Sequence, residues 1–226
     1  MIDSSAAAGL LLDNIRWIDS VKENKQFFGL PGSNRNLLGA ASTDLAIEYA
    51  SAILRLAHAP RDQQAMCGAA MTLLRPMFEV LANAWLIFFV LDEAQVERLA
   101  NGGRIPNWSM AQRVDRIERT VGMRNDNFMS RVMSPELGLW RMLNGFTHGG
   151  FEQLRRRIAR NVIGPVYTDE DLARAMVFAA LLAIIGWSVI CREANRHGDY
   201  AEGERRLNHI AALLNESGER IRMGAS

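Results

Sequence analysis

The sequence predicts an all-α fold: a single multi-helix bundle over 1–226, packed around a central apolar helix. Three observations lead there. Apolar residues recur at spacings of three and four along most of the chain, and no strand-like alternation runs for more than a few residues. The run Ala175–Cys191 is almost wholly apolar and uncharged between Arg174 and Arg192, the pattern of a helix enclosed by other helices. Only 6 prolines interrupt 226 residues rich in Ala, Leu, Met and Arg, which favours helix over most of the length.

The opening helix is expected over 5–23, where Leu10, Leu11, Ile15, Trp17, Ile18 and Val21 form a broad apolar stripe. The turn-rich stretch Phe28-Gly-Leu-Pro-Gly-Ser-Asn-Arg-Asn ends it. A second helix is expected over about 36–58, with Leu38, Ala41, Leu45, Tyr49, Ala52 and Leu56 recurring at spacings of three and four as its buried face. The third, over about 63–91, contains Pro76, a residue that kinks a helix or marks its restart. Arg75, Glu79 and Asn83 stand one turn apart on it. Burial of such charges is costly unless they are paired. A structural ion pair satisfied locally and a polar line facing a functional ridge remain two open readings.

A short helix over 92–101 should stop at Gly102-Gly103. The next, from Trp108 to Val121, alternates Arg113, Arg116 and Arg119 with Asp115 and Glu118, the pattern of a solvated helix. Ser134-Pro135-Glu136 carries a cap, a first-position proline and a first-turn acid. These signals launch a helix through Leu137–Gly150. An amphipathic helix with a basic outer face is expected from Phe151 to Arg160, closed by Gly164-Pro165. Its Arg155 and Arg156 read either as solvated charge or as a phosphate-holding patch. Thr168, followed by Asp169, Glu170 and Asp171, opens the central helix, expected to reach about Arg196. A last, polar helix is expected over 199–215, peripheral like the first, with a frayed tail after Gly218.

The central run also sits at the lower edge of membrane-spanning length. Gly186 and Ser188 interrupt it, and Arg flanks both ends. The core-helix reading is therefore preferred, with no membrane partner. The formal net charge of +1 gives no electrostatic case for a general nucleic-acid coat, and DNA is not an expected partner. Cys67 and Cys191 are too far apart in sequence for a zinc signature or a disulfide framework. The N-terminal stretch lacks the positive region of a signal peptide. A cytoplasmic setting with buried thiols is the expectation. The four histidines, His58, His148, His197 and His209, lack the Glu-x-x-His pairs of a di-iron bundle. Glu193 and His197 read as a surface pair or a helix-end dipole contact. No metal and no cofactor are expected.

The chemistry-bearing stretch is Leu137–Gly150. At about 100° per residue, Leu139, Met142, Leu143 and Phe146 fall on one side, and Arg141, Asn144 and His148 on the other. A cation, an amide and an imidazole thus share a ridge suited to phosphate chemistry. The bland alternative has His148 capping helix-end carbonyls beside Gly149-Gly150, with Arg141 paired to Glu136 or Glu79.

An Arg and a His separated by six residues on a helix of an all-α domain resemble the HEPN superfamily, helical bundles found in toxins and abortive-infection systems. The stretches Leu74-Arg75-Pro76-Met77-Phe78-Glu79 and Asn144-x-x-Thr147-His148-Gly-Gly also resemble bacterial helical proteins related to abortive-infection families. The resemblance spans about 63–196 and departs at Met142, where many members carry a polar residue. It implies metal-independent RNA cleavage at the interface of a homodimer. Arg141, Asn144 and His148 would be catalytic, Arg75, Glu79 and Thr147 supporting, and Arg155 and Arg156 substrate-binding. The alternative is a non-catalytic helical interaction module, or an inactive HEPN-like scaffold of a defence system.

Overall fold

A computed structural model of the chain describes residues 3–23, 32–57, 66–121, 143, 158–159, 162–163 and 167–223. The architecture is all-α, as the periodicity predicts. Helix α1 covers Ser4–Glu23, α2 Asn34–Ala57 and α3 Cys67–Trp85, which runs into a π turn at Leu86–Val90. Then follow α4 (Glu93–Ala100), α5 (Met110–Val121), α6 (Asp169–Glu193) and α7 (His197–Met223).

Helix α6 is the axis. Seventeen of its residues, from Ala173 to Cys191, are buried, because α1, α2, α3 and α7 all pack against it. Such enclosure explains a helix apolar on every side. Close approach is set by small residues: a Cβ at Gly186 would lie 2.8 Å from Leu81 and 2.9 Å from Thr43, so α3 and α2 meet α6 there. The start of α6 is cut by a capping box in which Thr168 Oγ1 accepts from the Asp171 amide and the Asp171 carboxylate accepts from the Thr168 amide.

Among the described residues three helices, α2, α3 with its π turn, and α6, are long and apolar enough to cross a membrane by length and composition. Of the most apolar window of α6, 94% is buried inside the protein. Its apolar surface is taken up by the bundle itself.

Several boundaries differ from the expectations, each for a local reason. α2 begins at Asn34, two residues early, because Ser33 caps it through the Asn36 amide. Its buried face is Gly39, Thr43, Ala46, Ile47, Ala50 and Ile53, not the expected Leu38–Leu56 set, of which Ala41 and Leu45 are exposed. Small residues on that face let α2 pack closely on α3 and α6. α3 passes Pro76 without a restart. It ends in a π turn closed by the Leu91 amide on the Leu86 carbonyl at 2.9 Å. α4 ends at a Gly102 with φ +84°, as the Gly102-Gly103 stop predicts. α7 is longer than expected, running from His197 to Met223. The helix expected from Phe151 to Arg160 is contradicted at its end: Ile158–Ala159 and Val162–Ile163 form a two-residue antiparallel pair. Short β-branched runs are the segments that periodicity assigns least well.

The outer helices are tied on by polar contacts. Arg206 of α7 donates to Asp13 at 2.6 Å and to the buried Asn14 at 2.9 Å, and it lies over the Trp17 ring at 5.0 Å. Lys22 pairs with Asp44, joining α1 to α2. Arg35 of α2 donates to the Leu91 carbonyl at 2.7 Å and to Glu93 Oε1. It thereby holds the exit of the π turn and the start of α4.

Candidate functional site

Arg75, Glu79 and Asn83 lie along one flank of α3, as their spacing requires. Arg75 Nε donates to Glu79 Oε1 at 2.7 Å, with side chains 18% and 34% exposed. This half-buried pair is the local ion pair that the sequence pattern predicts. Asn83 belongs to a different contact. Its Oδ1 accepts from Arg113 Nη1 of α5 at 2.8 Å, and Arg113 Nε reaches back to the Trp108 carbonyl at 3.1 Å. The Arg116 guanidinium sits 4.1 Å from the centre of the Trp108 ring. A polar seam thus runs between α3 and α5.

The uniformly solvated reading of α5 is corrected by two residues. Arg119 and Asp115 are exposed and paired at 2.8 Å, as expected. Arg113, however, is half-buried in the seam. Glu118 is only 8% exposed, the only acid in the buried class among the described residues. Its neighbours on the inner face, Val114 and Ile117, are 2% and 0% exposed. Val114, Ile117, Glu118 and Val121 recur at three- and four-residue spacing. That apolar period, rather than the alternation of charge, decides which way α5 faces. A carboxylate at this depth is a group the sequence reading overlooked.

Of the stretch that carries the ridge, Leu143 alone is described. It is helical and 0% exposed, in agreement with its expected place on the apolar side. The predicted catalytic residues Arg141, Asn144 and His148, the supporting Thr147, and Arg155 and Arg156 lie outside the described residues. Arg75 and Glu79 are brought together; Asn83 joins α5 instead.

Among the described residues, no group of three His, Cys, Asp or Glu is placed to hold a metal ion. Glu193 pairs with Arg192 at 3.2 Å, not with His197 one turn on. Cys67 and Cys191 are both buried. Burial pushes the Cys67 thiol up from its ordinary value, which keeps it protonated and unreactive near neutral pH.

No curated protein and no solved structure matches the chain. A family model matches residues 43–198, from the middle of α2 to the first turn of α7. That span takes in the α3–α5 seam, Leu143 and all of α6. The chain belongs to this family, a family of unknown function (DUF6988).

Proposed function

We propose that the protein is a metal-independent, HEPN-like ribonuclease of a bacterial defence or toxin system, cytoplasmic and acting as a homodimer. The observation that carries the reading is the complete burial of Leu143. If the stretch is helical as its sequence predicts, Arg141 and His148 would stand about 160° and about 140° around the helix from Leu143. A core-facing Leu143 is what the expected helical phase of this stretch requires, and that phase would set the Arg–His ridge on the opposite side.

The chemistry suits these side chains. RNA supplies its own nucleophile. His148 takes the proton from the 2′-OH, imidazole titrating near neutral pH. The 2′-oxygen bonds to phosphorus as the bond to the 5′-oxygen breaks, and that oxygen leaves with a proton. The products are a 2′,3′-cyclic phosphate and a 5′-hydroxyl. Arg141 offsets the charge that builds on the phosphoryl oxygens. Asn144 and Thr147 orient the imidazole or the phosphate, Arg155 and Arg156 hold the neighbouring backbone, and the Arg75–Glu79 pair supports the ridge from α3.

The test is incubation of the purified protein with a mixed RNA pool in EDTA, beside His148→Ala and Arg141→Ala. Cleavage by the parent protein, lost in both variants and leaving cyclic-phosphate ends, is the expected result. Cleavage that survives in His148→Ala would overturn the assignment of the ridge.

A second reading, a non-catalytic interaction module, is favoured by one observation. Leu37 and Leu45 on the outer side of α2 are 52% and 40% exposed, and Met66 beyond its end is 62% exposed. Exposed apolar side chains along one helix suit a partner surface. This reading predicts no cleavage and association through α2, measured as loss of the oligomer or complex in Leu37→Glu/Leu45→Glu.

A further inference from the structure

Helix α2 is apolar enough to be a core helix, yet the bundle covers little of it. Of its most apolar window 39% is buried, against 94% in α6. Its inner side is Gly39, Thr43, Ala46, Ile47, Ala50 and Ile53. On the outer side Leu37, Ala41, Leu45, Glu48, Ala52 and Arg55 fall within about 80° of one another at about 100° per residue. All but the half-buried Ala52 are exposed, Leu37 by 52% and Leu45 by 40%. Met66 extends this stripe. It is 62% exposed, and its amide donates to the Leu56 carbonyl at 3.0 Å, which sets it beside the end of α2. Leu37, Leu45 and Met66 are the exposed large apolar side chains among the described residues.

The stripe also carries one acid and one base that are not paired within the chain. Asp44, at its edge, is taken by Lys22. Glu48 and Arg55 have no ion-pair partner among the described residues. They stand seven residues apart, about two turns, and between them lie the small side chains of Ser51 and Ala52, which let a second helix approach closely. Two α2 helices laid antiparallel, with a twofold axis at the level of Ser51 and Ala52, bring each Glu48 opposite the partner's Arg55. A twofold axis repeats every contact, so this one register makes both ion pairs. It also sets Leu45 within one turn of the level of the partner's Leu56, where Met66 stands. A parallel pair would oppose like charges at both positions.

We propose that the exposed stripe of α2 is a homodimer interface, in which two copies of the helix pack antiparallel at Ser51–Ala52 with each Glu48 paired to the partner's Arg55. The occupant is a second copy because the charge pattern of the stripe is its own complement under a twofold axis. A lipid surface suits it less, since it would draw the Glu48 carboxylate toward hydrocarbon. One helix face is smaller than the about 800 Å² per partner of a standard interface, so the dimer should dissociate in the micromolar range. The inference rests on the same exposed side chains as the interaction-module reading and names their partner. RNA cleavage is read by a separate assay, and either result there leaves this interface to its own test.

The experiment is sedimentation velocity of the full chain from about 1 to about 300 µM, beside flotation with vesicles of phosphatidylglycerol and phosphatidylcholine. The parent should pass from monomer to dimer within that range. Glu48→Arg and Arg55→Glu each oppose like charges across the axis and should weaken the dimer about tenfold or more. The exchange Glu48→Arg/Arg55→Glu restores both pairs with their signs reversed and should recover the parent constant. Leu45→Glu, which leaves both ion pairs in place, should weaken the dimer as well. All four changes are at exposed positions, and each variant should melt close to the parent. A parent that stays monomeric throughout overturns the interface, and flotation of that monomer would assign the stripe to a lipid surface instead. A dimer that both charge reversals and Leu45→Glu leave unchanged also overturns it. A dimer weakened by the single reversals and not recovered by the exchange overturns the antiparallel register.

Discussion

Arg113 of α5 donates to Asn83 of α3 at 2.8 Å and to the Trp108 carbonyl at 3.1 Å, a polar tie of α5 to α3 beside the buried Val114 and Ile117. Hydrogen bonds made by a charged group contribute about 1.5–3 kcal/mol. Arg113→Met and Asn83→Ala should each destabilise the fold by about 1–3 kcal/mol in urea titration. The double variant should show a coupling energy of about 0.5–3 kcal/mol, as expected for side chains in direct contact. Strict additivity of the two single losses would mean that the seam contributes nothing as a pair.

Gly39 is held by a neighbour, not by its backbone. A Cβ there would sit 2.5 Å from the tip of the Phe88 ring, and Phe88 is only 6% exposed. Gly→Ala inside a helix ordinarily stabilises by about 0.5–1 kcal/mol, while overpacking a core costs about 1–3 kcal/mol. The clash should win, and Gly39→Ala should lower the melting midpoint by a few degrees, about 2–4 °C per kcal/mol for a chain of this size. Phe88→Leu in the Gly39→Ala background should recover part of the loss, because it withdraws the ring tip. A Gly39→Ala protein as stable as the parent would show that the π turn can shift to make room.

Asp169 carries an acid-sensitive link between the starts of α1 and α6. The Ser4 hydroxyl and then the Ser4 amide, both donating to its carboxylate, hold its pKa below the ordinary value. A depressed pKa in the folded state contributes stability that is present above the unfolded value and is lost as pH falls through the folded value. The difference in melting midpoint between the parent and Ser4→Ala should therefore persist above about pH 5 and shrink below about pH 4. Glu202, lowered mainly by Arg205 and also by Arg206, titrates in the same direction. It is not altered by Ser4→Ala, so the comparison isolates the Asp169 link. A difference that stayed constant down to pH 3 would assign the Ser4 effect to packing.

The helices legible in the sequence are those whose signals are local. Thr168 and Asp171 form their capping box within four residues, and the α1 stripe from Leu10 to Val21 lies within two to three turns. Backbone hydrogen bonding and side-chain period are properties of neighbours along the chain, so periodicity locates α1, α2 and α6 to within a few residues. The Arg75–Glu79 pair was legible for the same reason, being one helical turn. The π turn was not: it adds a residue to a run of Leu, Ile, Phe and Val that reads equally well as α-helix, and it is completed by Arg35 from another helix. The strand pair at 158–163 was hidden by an arginine-rich stretch that scores as amphipathic helix.

Chain order and composition alone settle that this protein is helical, where most helices begin, and that α6 is the one to be enclosed, being the most apolar of the described helices. Which side chains share a site was decided by packing. Asn83 left the Arg75–Glu79 line for Arg113 because α5 crosses α3 at that level. Glu118 went inward because Val114, Ile117 and Val121 bury the face it stands on, and the apolar area removed from water outweighs one carboxylate's preference for solvent. Arg196 was enclosed because α7 folds back along α6. The Asn83 and Arg196 outcomes depend on how separate helices come to rest against each other, which no local period encodes. The inward face of Glu118, by contrast, was written in a local apolar period that the alternation of charge obscured.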